Sequence, residues 1–243
     1  MSFENPQSKI LVLIPVFNED GKILKVVKKI PRDSVDQIVV INDGSTDSTP
    51  FDAIGEGVKV LNHDIRRGIG AAIRTGIEYA IANNYDIIVI LAGNDKDDPT
   101  QINRLVEPIV KDNFDYVQGS RYIKGGISGK MPLHRLIFTK GYSFLIRLCT
   151  NCIITDGTNG FRAYRRVIFD DKRINIWQDW LSQSLEYYLS IKVLKLGYKI
   201  KEVPVTKIYP TGVSYKAYTK VKPFYGWIER LKPIIYLTLG IKK

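Results

Sequence analysis

The first strong signal along the chain is a continuous apolar run, ILVLIPV at 10–16, with polar residues on both sides. A short unbroken run of this kind predicts a parallel strand covered on both faces rather than an amphipathic helix. Similar runs recur at 37–43, 58–63, 85–92 and 115–119. Between them, at 21–30, 48–54, 69–83 and 100–111, apolar residues fall at helical spacing. Strand and helix thus alternate, and the expected class is α/β, a doubly wound, mostly parallel sheet with helices on both faces and right-handed crossovers. A sheet of this class binds its ligands at the carboxyl ends of its strands.

Beyond Gly119 the pattern loosens. A Gly-rich loop at 124–130 precedes a helical stretch at 133–150, a turn-rich passage at 155–160, a helix near 180–196 and a short strand at 199–205. From Tyr209 onward Pro, Gly, Lys and aromatics mix, and Pro233 is expected to interrupt any helix there,. A length of 243 residues suits one filled domain with a tail,. With 44% hydrophobic and 25% charged residues, disordered and fibrous classes are excluded,. No apolar run approaches the ~18 residues that span a bilayer. The opening MSFENPQSK lacks the apolar stretch of a secretory signal, so a cytoplasmic address is expected,. Cys149 and Cys152 form the only C-x-x-C and read as two inert thiols,.

Charge changes the picture more than composition does. Lys plus Arg number 36 against 25 Asp plus Glu, a net +11. Residues 1–125 carry a net −3 and residues 126–243 a net +14. A basic half implies an anionic partner: nucleic acid, lipid headgroups or a phosphorylated substrate. No nucleic-acid reading module is recognisable, so nucleic acid is not expected.

Candidate chemistry gathers where the expected strands end. The first ends in Pro15, Phe17, Asn18 and Glu19, the second in Asp43 and the turn GSTD. A carboxylate there accepts hydrogen bonds from ribose hydroxyls or a base N–H, while Asp43 and Asp47 equally suit a turn and a helix cap. GIGAAIRTG at 68–76 is not G-x-G-x-x-G and follows the third strand, which argues against a nicotinamide cofactor,. Arg67 and Gly70, at the start of that helix, suit contact with phosphate or sugar. The fourth strand ends in LAGNDKDDP, where Asp95, Asp97 and Asp98 crowd together. Such carboxylates repel unless a divalent cation, Mg or Mn, joins them and in turn binds a diphosphate, while Asp98-Pro99 also suits a helix start.

Taken in order, IPVFNE (14–19), INDGSTDST (41–49), RRGIGAA (66–72), the acidic loop at Asp95, GSRYIKGG (119–126), DGTNGFRAYRR (156–166) and GYKIKEVPV (197–205) resemble the family-2 inverting glycosyltransferases of the GT-A fold. They are most similar to the dolichyl- or polyprenyl-phosphate mannose synthase group, over roughly residues 8–215. The resemblance implies a single GT-A domain over 1–215, with a nucleotide-sugar half at about 8–120, an acceptor half at about 121–215, and a basic-aromatic tail at 216–243. It implies a donor such as GDP-mannose or a UDP-hexose held by Pro15, Phe17, Asn18, Glu19 and Asp43, and a metal held by Asp95 and Asp97. It departs from the family's Asp-x-Asp at Gly93, and near Tyr209, where Lys207 or Lys216 substitutes for a displaced basic residue.

Arg121, Arg135 and Thr139 match positions around the acceptor phosphate; Lys140, Arg162 and Lys216 join them by charge and placement. Asp95, Asp97 and Arg121 are the expected catalytic residues. The acceptor makes chemical sense of the basic half. A sugar hydroxyl needs a base to become a nucleophile, whereas a phosphate monoester, with a second pKa of about 6, is already anionic at neutral pH. It needs only a cationic cradle, which arginine forks supply. The tail's aromatic and basic residues, Tyr225, Trp227 and Arg230 among them, suit a peripheral position on the cytoplasmic face of a membrane, and packing against the core is the alternative,. A non-catalytic nucleotide-sugar-binding protein of the same fold, or a transferase with another acceptor, are the rival readings.

Overall fold

The computed structural model describes residues 8–209 and 225–242. Seven strands form one sheet in the order β3-β2-β1-β4-β7-β5-β8. They are β1 (Ile10–Val16), β2 (Gln37–Asn42), β3 (Lys59–Asn62), β4 (Ile87–Ile90), β5 (Tyr116–Ser120), β7 (Arg162–Arg165) and β8 (Ile200–Pro204). Two short strands, β6 (Ile127–Ser128) and β9 (Thr206–Lys207), pair beside it. All pairings in the large sheet are parallel except those of β7, which runs antiparallel between β4 and β5. This is the doubly wound sheet the pattern predicts, with one inserted strand it does not.

The helices are α1 (Lys22–Lys29), α2 (Thr49–Gly55), α3 (Ile69–Ala82), α4 (Ile102–Asp112), α5 (Leu133–Thr150), α6 (Leu185–Lys195) and α7 (Tyr225–Thr238). Strand alternation sorts the core into two layers. Val12, Ile14, Val16 and Val40 pack with Ile23, Val26 and Leu105 of α1 and α4 on one face. Leu11, Leu13, Val39 and Ile41 pack with Ile73, Ile77, Leu185 and Leu189 of α3 and α6 on the other. Burying each such side chain is worth about 1.5–3 kcal/mol, and the continuous run of β1 is the only pattern that serves both layers at once.

A third cluster joins α5, α6 and α7 through Tyr142, Ile146, Ile191 and Ile234. Here the tail departs from expectation. Pro233 lies inside α7 rather than ending a helix. A proline there loses one backbone bond and costs about 3 kcal/mol; tertiary packing on either side offsets it. Trp227 stacks on Phe138 at 5.0 Å and Tyr236 meets Trp180 at 5.1 Å. The described part of the tail therefore packs against the body.

β7 escaped the pattern because its sequence, RAYR, is not apolar. Arg162 is fully buried, its guanidinium donating to the main-chain carbonyls of Glu186 (2.9 Å) and Asn159 and to Ser190 Oγ. Acceptors on both terminal nitrogens make an arginine admissible in a central strand, although its buried Nε finds none,.

Candidate active site

A cleft of about 910 Å³ opens at the carboxyl ends of β1, β2 and β4. Pro15, Phe17, Glu19, Asp43 and Arg67 line it, as the sequence predicts. Asp43 is more than a turn residue. Its Oδ1 accepts from Arg67 N at 2.8 Å and lies 2.9 Å from His63 Nδ1, and its Oδ2 accepts from Gly68 N at 2.8 Å. One carboxylate thereby ties the end of β2 to the loop that opens α3, leaving about one acceptor site for a ligand. Arg66, in that loop, lies over the Phe17 ring at 4.1 Å. His63 Nε2 meets Thr75 Oγ1 at 3.0 Å, so α3 is held as well.

Asn18 and Gly70 sit behind this wall. Asn18 accepts from Thr46 N through its side chain at 2.9 Å and donates its own N–H to Ser45 Oγ at 3.0 Å, binding the ends of β1 and β2 together. Gly70 donates to Ser182 O at 2.7 Å, and a Cβ there would overlap Leu181 O; its smallness serves helix packing rather than ligand contact.

At the end of β4 the residues lining the cleft are Ala92, Gly93, Asn94 and Lys96. Asp95 and Asp97, the expected metal ligands, are not among them. Asp95 Oδ1 receives Lys29 Nζ at 2.8 Å. Asp97 is buried and receives Lys207 Nζ on both oxygens at 2.7 Å, with Asn159 Oδ1 3.0 Å from the same ammonium. A Cβ on Gly93 would overlap Val16 Cγ1, so a side chain at that position requires Val16 to shift. Asn94 contributes a buried Oδ1 that accepts from no described residue. Among the described residues no three His, Cys, Asp or Glu side chains converge. At the end of β4 the cleft is therefore lined by one neutral oxygen and an ammonium, and the carboxylates of its lining come from other elements, Glu19 and Asp43 among them. Asp98 takes the capping role, accepting from Thr100 N at 3.1 Å.

Lys96 is 6% exposed, and its Nζ lies 5.1 Å from the Tyr209 ring centroid. Arg135, from α5, approaches the same ring at 5.8 Å. Burial, and then the charges of Lys207 and Arg135, push the Lys96 ammonium down to about 7. Burial likewise lowers Lys207, with Asp97 working the other way. Main-chain bonds fix this corner: Asp98 N donates to Thr206 O at 3.2 Å and Ile208 N to Lys96 O at 2.8 Å.

The residues expected around the acceptor phosphate divide. Arg135 lines the cleft. Arg121 does not. Its guanidinium forks onto Asp156 at 2.6 and 2.7 Å and reaches Thr158 Oγ1 at 3.1 Å. Burial opposes that charge, yet the Asp156 bonds outweigh it and hold the guanidinium above its ordinary pKa. Arg162 is consumed by β7, as above. Thr139 is buried, donating to Leu136 O at 2.9 Å, and Lys140 is exposed on α5. Lys216 lies outside the described residues. Of the two basic substitutes named near Tyr209, Lys207 is the one that lines the cleft. Sequence reasoning passed over Lys96, Arg66, His63 and α7's Glu229, and gave Arg230 to a membrane-facing tail; all but His63 line the cleft. Lys96 was visible inside the acidic loop, but the three neighbouring carboxylates drew attention from it.

Residues 11–172 match the family described as Glycosyl transferase family 2. An uncharacterized protein, MJ1222, of Methanocaldococcus jannaschii is 32% identical, covering 84% of this chain and 83% of its own. A polyprenol monophosphomannose synthase of Mycolicibacterium smegmatis is 27% identical, covering 83% of this chain and 78% of its own. In fold, the chain is similar to a glucosyl-3-phosphoglycerate synthase from Mycobacterium tuberculosis crystallised with Mn2+ and UDP, with a TM-score of 0.68 and 19% identity over 98% of this chain and 80% of that one. With the cleft at the ends of β1 and β2, the doubly wound sheet and the family match in agreement, the chain belongs to glycosyl transferase family 2 and is a glycosyltransferase of the GT-A fold.

Proposed function

We propose that the enzyme moves a hexose from a nucleoside diphosphate sugar onto a polyprenyl or dolichyl phosphate, with inversion at the anomeric carbon. The observation that carries this reading is the pairing of two surfaces. A donor wall (Phe17, Asp43, Arg67) faces a basic one (Lys96, Arg135, Arg230) across a single cleft. The relative from Mycolicibacterium smegmatis, named for polyprenol monophosphomannose synthesis, supports the acceptor class.

On this reading the loop at 66–68, whose Arg67 and Gly68 N–H groups are held by Asp43, supplies its arginine side chains to the nucleotide. The acceptor phosphate is itself the nucleophile. One of its oxygens bonds to the anomeric carbon as the bond from that carbon to the diphosphate breaks, and the nucleoside diphosphate leaves with the electron pair. A single displacement inverts the centre and asks no side chain for a proton. The outer face of α5 supports a peripheral membrane position. Leu133, Ile137, Phe144 and Leu148 lie along one exposed stripe, followed by the exposed Ile153. An apolar stripe beside basic residues suits the anionic cytoplasmic leaflet, where the lipid phosphate would be met. Among the described residues no helix is long and apolar enough to cross a membrane.

The test is nucleotide release from a panel of GDP- and UDP-sugars, with and without a short polyprenyl phosphate. Release from one donor, dependent on the lipid phosphate and yielding the inverted anomer by NMR, is the expected result. Binding of a donor with no release under any acceptor would favour the non-catalytic reading.

A further inference from the structure

The motif DGTNG (156–160) supplies Thr158 and Gly160 to the lining of the cleft, while the residue between them, Asn159, is fully buried. Its side chain nonetheless reaches the lining from below. Oδ1 accepts from Lys207 Nζ at 3.0 Å, and Nδ2 donates to Gly119 O at 3.0 Å. Its own carbonyl accepts from Gln118 Nε2 at 2.9 Å and from the Arg162 guanidinium.

We propose that Asn159 is a positioning residue for the transfer: it acts through Lys207, holding that ammonium and the loop at 158–160 where they form the floor of the cleft. This rests on the hexose-transfer reading above. Three observations carry it. Lys207 Nζ bonds both oxygens of Asp97 at 2.7 Å and Asn159 Oδ1, one acceptor for each N–H of an ammonium, so the direction of the lysine is set as well as its charge,. The acceptors come from the loop after β4 and the loop before β7, and the lysine from β9, so this contact ties together three segments that each put a residue into the cleft: Lys96, Thr158 and Lys207. Second, the residue type fits the task. An amide gives the ammonium an acceptor and the Gly119 carbonyl a donor, whereas an aspartate would set a second acceptor against Gly119 O. Third, the loop is held by other bonds as well. Gly157 N donates to Ser143 Oγ at 3.0 Å, Asp156 N donates to Glu202 Oε1 at 3.1 Å, and the Asn159 carbonyl is bonded through the main chain. Loss of the amide therefore disturbs the floor without unmaking the loop. Being buried, Asn159 reaches no substrate itself.

The experiment is steady-state transfer to a short polyprenyl phosphate from whichever GDP- or UDP-sugar the wild-type chain uses, with UDP and GDP titrations and a thermal melt of every variant. Asn159→Ala should lower kcat about tenfold or more, the scale of one hydrogen bond to a charged group, while donor KM and nucleotide affinity stay within about twofold, because the strand ends of β1 and β2 are untouched. Where that variant melts below the assay temperature, Asn159→Ser carries the same expectation. Asn159→Asp keeps an acceptor for Lys207 and should recover most of the loss in kcat even if it melts below the wild type. In an Asp97→Asn, Lys207→Met background the ion pair is removed as a unit and strands no charge; adding Asn159→Ala there should cost less than about twofold. A folded Asn159→Ala with wild-type kcat overturns the proposal and leaves the transfer reading standing. So does a loss of undiminished size in the Asp97→Asn, Lys207→Met background, or no recovery in Asn159→Asp. If the wild-type chain turns over no donor, the transfer reading fails and the proposal with it.

Discussion

Two groups of cations meet opposite fates. Arg121 and Arg162 lie beneath the cleft, closed off by protein acceptors: a carboxylate for one, carbonyls and a hydroxyl for the other. Lys96, Arg135 and Arg230 line the cleft itself. All five are basic residues, and the sequence around them does not tell them apart. The difference teaches that a site cannot be read from charge alone. A buried arginine satisfied by the protein contributes to the floor, and only a cation whose surroundings leave room for an outside anion contributes to binding.

The sharpest way to break this comparison is to remove the floor. Asp156→Ala strands the Arg121 guanidinium in the interior and should cost about 3–5 kcal/mol, the penalty of an uncompensated buried charge, read as a shift in urea midpoint. If Arg121 instead served the acceptor directly, stability would barely move while transfer alone collapsed. Next in size is Gly93→Ala, expected to cost about 1–3 kcal/mol because its Cβ overlaps Val16. A neutral result in the same melt would mean the strand end is looser than described.

Arg135→Ala sharpens the other side. It should lower transfer to a polyprenyl phosphate about tenfold or more while UDP or GDP affinity in a titration stays within about twofold. The smallest effect concerns α5. Ile137→Asp should lower co-flotation with anionic vesicles while nucleotide affinity stays constant, because the stripe faces away from the cleft chemistry. Equal flotation of both forms would remove α5 from the membrane argument.

The fold was largely legible. The run at 10–16 must be covered on both faces, and alternating such runs with helical segments leaves few arrangements other than a doubly wound sheet. The donor wall was equally legible, since Pro15, Phe17, Glu19 and Asp43 sit immediately after strands, where the sheet's own geometry puts ligands,. Those are local facts: period, strand end, turn chemistry.

What the sequence could not decide is which charges face each other. Asp97 meets Lys207 across 110 positions, Arg121 meets Asp156 across 35, and α7 returns to meet α5 and α6. Local pattern carries no information about such pairings, because Coulomb and hydrogen-bond energies depend on distances set by the whole chain. The chain alone determined a parallel α/β sheet with polar and acidic residues at its strand ends. Only the packed structure decided that Asp95 and Asp97 answer to lysines, that Arg121 and Arg162 are engaged by protein acceptors, and that Lys96 lines the cleft.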